Sequence, residues 1–244
     1  MTVSLWAAAA DLLLGAQCPA CSSPRWGLCP DCRTAVLAHG CYLTRPDPCP
    51  VDFPVTATTS PYDARMKRLV TAYKEHQVMS LTPFLAERLS AAVRLLVREL
   101  APSGSCLVLV PVPSSPAAVR ARGLDATWAM ARRAVRGWAG GPAVDPLPVI
   151  ARRLLGQSRR VQDQARLTAV ARQQNLAGSF RVRGGRLPPG AAVVIVDDVV
   201  TTGASLSEAA RALQAAQLPV LGAATVAATV RSAPPTARTQ EDSA

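Results

Sequence analysis

One stretch constrains this chain more than any other: Val193-Val194-Ile195-Val196-Asp197-Asp198-Val199-Val200-Thr201-Thr202-Gly203. The apolar run that begins at Ala191 and ends at Val196 predicts a strand buried on both faces. Asp197 and Asp198 then place two carboxylates where the strand emerges. Thr201, Thr202, Gly203, Ala204 and Ser205 turn and open a helix expected over residues 203–216, carried by Leu206, Ala210 and Leu213. A small-residue turn at a helix N-terminus aims several backbone N–H groups at one spot, and with the helix dipole it forms an anion site. The hydroxyls of Thr201, Thr202 and Ser205 add donors, and Gly203 lets the backbone come close. The adjacent carboxylates suit vicinal hydroxyls or a divalent cation. A phosphate and a diol held a sugar length apart describe ribose 5-phosphate. The competing reading is a strand–turn–helix whose aspartates only cap the helix. Two adjacent aspartates followed by Thr-Thr-Gly are more than a cap needs.

The rest of the chain reads as apolar runs alternating with helical patterns. Val55–Thr59 suggests a short strand. Met66, Leu69, Val70 and Tyr73 recur at helical spacing within 63–77, and Leu85, Leu89, Val93, Leu96 and Leu100 continue a second helix over 81–100. Cys106–Val110 is a second doubly buried strand, bounded by Ser103-Gly104 and Pro111. Residues 116–138 read as helical, 148–150 as a short strand and 219–229 as the last strand. This alternation predicts an α/β fold, an open parallel sheet flanked by helices. Ligands of such sheets bind beyond the carboxyl ends of the strands, here after 106–110 and after 191–196.

Six of the seven cysteines precede residue 50. Cys18-Pro19-Ala20-Cys21 and Cys29-Pro30-Asp31-Cys32 form two C-x-x-C knuckles, the arrangement a closed tetrahedral Zn²⁺ site requires. So short a segment buries little core, so metal would supply its folding energy. Disulfides are the alternative, and a cytosolic setting disfavours them. Cys41 and Cys49 lack a knuckle and are not assigned as ligands. Cys106 reads as a small buried hydrophobe. Residues 40–54, with Pro46, Pro48, Pro50 and Pro54, read as a linker. The expected division is therefore 1–50, a short helix with the four-cysteine module and linker; 51–230, the main domain; and 231–244, a disordered tail.

The formal net charge of +11 is uneven. Residues 152–186 carry nine arginines against the single acid Asp163, which points either to an anionic partner or to a solvated loop. No apolar stretch is long enough to span a membrane. The opening residues lack the basic start of a signal peptide, and Asp11 interrupts their apolar run, so the cytoplasm is the default location.

Val193 to Ser205 resembles the signature with which type I phosphoribosyltransferases bind phosphoribosyl pyrophosphate (PRPP). The order of the other pieces, over about residues 12–230, resembles the ComF family of competence-associated proteins. Those pieces are the cysteine knuckles, Tyr62 and Lys74, Val110-Pro111-Val112-Pro113, Arg120-x-Arg122-Gly123, Gln164-x-x-Leu167 and Arg172-x-x-Asn175. The resemblance implies that Asp197 and Asp198 hold the ribose hydroxyls and that Thr201, Thr202, Gly203, Ala204 and Ser205 bind the 5-phosphate. It implies a pyrophosphate contact in the segment from Pro111, with Arg120, Arg122 and Lys74 as candidate charge partners. Mg²⁺ would bridge the pyrophosphate and ribose oxygens. Residues 152–175 would form a mobile hood with Gln164, Arg166 and Arg172 as catalytic candidates. The implied activity is phosphoribosyl transfer from PRPP to an unidentified base or amine. A non-catalytic PRPP or nucleotide sensor, and an accessory protein of DNA uptake that binds single-stranded DNA, are the alternatives. A homodimer is compatible with each. The chain departs from the family at Leu124-Asp125-Ala126, where Phe-Asn-Gln is common.

Overall fold

The computed structural model describes residues 17–25, 27–100, 106–138, 147–157, 176–184 and 186–229. The expected opening helix, the tail 231–244 and the middle of the arginine-rich stretch, including Gln164, Arg166 and Arg172, lie outside the described residues.

Helix α1 (Pro30–Leu37) begins within the second knuckle, with Cys29 as its cap and Cys32 in its first turn. Strands β1 (Tyr42–Thr44) and β2 (Thr56–Thr58) come next, then α2 (Ala64–Lys74) and α3 (Thr82–Leu100). Asp63 starts α2 by accepting a hydrogen bond from the Met66 N–H at 2.8 Å. Its apolar side chains at positions 66, 69, 70 and 73 are buried, the stripe expected of an amphipathic helix. The chain continues through β3 (Cys106–Pro111), α4 (Pro116–Arg122), α5 (Ala126–Trp138), β4 (Val149–Ala151), β5 (Leu155–Gln157), β6 (Phe180–Val182), β7 (Ala191–Val200), α6 (Ala204–Ala215) and β8 (Val220–Ala228).

Six strands form the main sheet in the order β1-β2-β8-β7-β3-β4. Every pairing in it is parallel except β1 with β2. Alternate residues of the central strands feed two cores, as strand pleating requires. Leu107, Leu109, Val194, Val196, Ala224 and Val226 face one core, shared with α3, α5 and the cysteine module. Val108, Val110, Val193, Ile195 and Ala223 face the other, shared with α6 and the separate β5–β6 ribbon. The open, mostly parallel sheet flanked by helices is therefore as expected.

Three local expectations change. The helix over 116–138 is broken in two, because Gly123 takes the left-handed conformation (φ 65°) that ends α4. Asp125 then accepts a hydrogen bond from the Trp128 N–H at 3.2 Å and begins α5. The proline-rich linker holds β1, an antiparallel edge strand whose three residues are too few to establish a period in the sequence. Strand β7 runs four residues past Val196, so both aspartates stand within its pairing with β8. Among the described residues, no helix is long and apolar enough to cross a membrane.

Candidate functional site

The two aspartates lie at the carboxyl end of β7, one half-exposed and one buried. The Lys74 Nζ sits 2.7 Å from the Asp198 carboxylate, at the last residue of α2. The pair is nearly dry on the acid side: the Asp198 side chain is 6% exposed and that of Lys74 27%. Burial pushes the Asp198 carboxyl up, but the Lys74 ammonium outweighs it and holds the acid below its ordinary value. Asp197 makes no ion pair among the described residues, and the Lys74 charge favours its ionised form only in part. Burial and the neighbouring Asp198 charge push it well above the ordinary carboxylate range. Burial opposes the charge on Lys74, and the two acids more than offset that, so its value is raised. The result is one carboxylate whose charge is compensated by Lys74 beside a second whose charge is opposed. Asp197 Oδ1 also accepts a hydrogen bond from the Asp198 N–H at 2.9 Å. Tyr62 and Tyr73 stand near this cluster; burial and then the Asp198 charge raise Tyr62.

The loop after β7 encloses a hollow of about 50 Å³ lined by Asp197 and by residues 199–206. Gly203 caps α6 with φ 75°, and no side-chain hydrogen bond caps the helix. Thr201, Thr202 and Ser205 and the first residues of α6 line the hollow, with the dipole of a 12-residue helix behind them. Thr201 is exposed, while Thr202 and Ser205 are half-buried.

The strand β3 delivers the second part. The Val112 N–H donates to the Val196 carbonyl at 2.9 Å, so the loop from Pro111 starts alongside the acidic pair. A pocket of about 330 Å³ opens there, between this loop, α4 and the β5–β6 ribbon. Arg120, Arg153 and Arg183 reach into it. Arg153 is fixed by an ion pair with Asp125 at 3.2 Å and by stacking over Trp128 at 4.7 Å. Asp125 also accepts from the Ser114 hydroxyl at 3.3 Å. Asp125 thus has structural work: it caps α5 and anchors an arginine.

The four knuckle sulfurs lie within 4.8 Å of one another. Cys18, Cys29 and Cys32 are buried and Cys21 is exposed. Backbone N–H groups already point at two of them, Cys29 N to Cys18 Sγ at 3.5 Å and Cys32 N to Cys29 Sγ at 3.4 Å, as around thiolate ligands. The Ser23 hydroxyl and backbone lower Cys21 to about 6, while burial pushes Cys32 up to about 12. One divalent cation would take all four as thiolates, so the cluster could hold a zinc ion.

Among the sequence candidates, the structure brings together Asp197, Asp198, Lys74 and the loop from Thr201 to Ser205. Lys74 is placed on Asp198 rather than on the loop from Pro111. Arg122 turns to Glu75, with bonds of 2.7 and 3.2 Å, and does not line the pocket; Arg120 does. Arg183, within the arginine-rich stretch, and Asp125, within the departure at 124–126, were not singled out as site residues, because only the pairing of β5 with β6 and the break at Gly123 bring them to the pocket.

A comparison with curated proteins found no match. Residues 145–240 match the family model of the phosphoribosyl transferase domain, a span that takes in β7, both aspartates and the whole loop to Ser205.

Proposed function

We propose that this protein binds PRPP with Mg²⁺ and transfers its phosphoribosyl group to the nitrogen of a base or amine, as a phosphoribosyltransferase-like member of the ComF family. One observation carries this reading: an acidic pair, half neutralised by Lys74, stands immediately before an uncapped helix N-terminus at the end of a central parallel strand. The hollow takes the 5-phosphate and the carboxylates take the ribose diol. The pocket beyond Pro111 takes the pyrophosphate, against Arg120 and Arg183, which have no ion-pair partner among the described residues. Asp197 and Asp198 stand where a Mg²⁺ carried by the pyrophosphate would be held, and its charge would favour the ionised form of Asp197. In the transfer, the C1–O bond to pyrophosphate breaks and its electron pair leaves with pyrophosphate. The acceptor nitrogen forms the C1–N bond and gives up its proton.

Calorimetry of PRPP with Mg²⁺, followed by turnover against a panel of bases and amines, tests the proposal. Saturable binding and pyrophosphate release, both lost in Asp198→Asn, are expected. Binding without turnover across the panel would make the protein a sensor, and no binding at all would end the phosphoribosyl reading.

A further inference from the structure

Gly203 does more than permit a turn. A Cβ at this position would lie 2.7 Å from Phe53 Cε2 and 2.8 Å from Pro46 Cγ. Both residues belong to the segment between β1 and β2, far from the loop in sequence. Pro46 is buried and Phe53 half-buried, packed against the core shared with α6. Neither lines the hollow after β7. They press on the back of the one residue whose left-handed backbone sets the direction of the N–H groups of Ala204, Ser205 and Leu206. Glycine has the widest choice of backbone conformations, so a glycine pivot needs an outside constraint if the donors are to be aimed before ligand arrives.

We propose that Phe53, seated with Pro46, is the positioning residue of this anion loop. The ring holds Gly203 in its left-handed state and preorganises the donors for the phosphate of the phosphoribosyl ligand. The inference rests on the reading of the hollow as the 5-phosphate site and adds a residue to it that no motif contains. The segment is supported in turn by β1, whose residues Tyr42, Leu43 and Thr44 pair with Thr58, Ala57 and Thr56. The strand next to the cysteine module thereby carries the brace of the phosphate loop.

The test compares wild-type protein with Phe53→Ala and Phe53→Leu on the full chain. Two probes are titrated by calorimetry, ribose 5-phosphate and inorganic pyrophosphate with Mg²⁺, and amide exchange is followed at residues 204–206 without ligand. Phe53→Ala is expected to weaken ribose 5-phosphate about tenfold, to leave pyrophosphate within about twofold, and to speed exchange of those amides. Phe53→Leu, which refills part of the gap, should recover most of the affinity. Equal ribose 5-phosphate binding in wild type and Phe53→Ala would overturn the role given to Phe53 and leave the site reading intact. Equal loss of both probes, with a general fall in stability, would also overturn it, since Phe53 would then be a packing residue only. A wild-type protein that does not bind ribose 5-phosphate would instead sink the site reading, and this inference with it.

Discussion

Lys74 neutralises one of two adjacent carboxylates and leaves the other to be neutralised by a proton or a cation. This arrangement has a pH signature. Asp198 is held below its ordinary value, so its contribution to stability is present above that value and is lost as pH falls through the folded one. Asp197 is raised, so it costs stability as pH climbs from the ordinary carboxylate value toward the folded one. Lys74→Met removes the compensating charge from both. The variant should lose about 2 kcal/mol at pH about 7, below the full cost of breaking a buried pair because Lys74 is partly solvated, and should recover on acidification to about pH 4. Urea unfolding at the two pH values checks this, and a loss independent of pH would contradict it. Asp197→Asn should do the reverse at neutral pH. It keeps an oxygen for the Asp198 N–H, removes the repulsion, and should raise stability by about 1 kcal/mol while weakening PRPP binding, a trade expected where a site stores unfavourable charge. Thermal unfolding and calorimetry on one preparation would show both effects.

Helix α6 joins the loop after β7 to the β5–β6 ribbon. The buried Glu208 carboxylate accepts from the Phe180 N–H at 2.9 Å and from Arg211 at 2.7 and 2.8 Å, and Arg211 donates to the Phe180 carbonyl at 3.3 Å. This clasp fixes the first residue of β6 to the helix whose N-terminus faces the hollow. Glu208→Ala leaves the Phe180 N–H and part of the Arg211 guanidinium without partners, and should cost about 2–3 kcal/mol by urea unfolding. Glu208→Gln keeps an acceptor for Phe180 and should cost less. If the two variants proved equal, the charge on Glu208 rather than its hydrogen bond to the ribbon would be what matters. Elements were mostly legible in the sequence. The strands β3 and β7 are continuous apolar runs and the helices α2, α3 and α6 carry a clean stripe. The break between α4 and α5 was not, because Gly123 inside a helical pattern is compatible with a tolerated glycine, and only Asp125 capping a new helix decides between the two. Strand β1 was hidden by its three-residue length beside a run of four prolines.

The cysteine cluster is built into the molecule rather than hung from it. Cys18, Ala20, Cys29, Cys32 and Val36 share one core with Leu81, Phe84 and Leu85. Arg33 bridges outward to Glu87 at 2.8 Å and stacks over Phe84, while the buried Arg88 donates to the carbonyls of His39 and Thr59. Metal removal should therefore act on the whole chain. Elemental analysis should find about one zinc per chain. Cys32→Ser, or a chelator, should lower the unfolding temperature in a single shifted transition, since the shared core couples the module to α3. Two separate transitions would mean that the module folds by itself.

What this sequence determined by itself is local. A run of apolar residues, two aspartates and a glycine-containing turn must form a strand that ends in charge and opens a helix, because each step depends only on chain neighbours. The two knuckles likewise bring four thiols within reach through short spacing. Tertiary structure decided everything that depends on distant partners: that Lys74 meets Asp198, that Arg122 is claimed by Glu75 while Arg120 and Arg183 face the pocket, and that Phe53 and Pro46 rest on Gly203. The physical reason is that a charge or a ring pairs with whatever packing brings into contact. Periodicity reveals which face of an element is buried, but not which side chain of another element will lie against it.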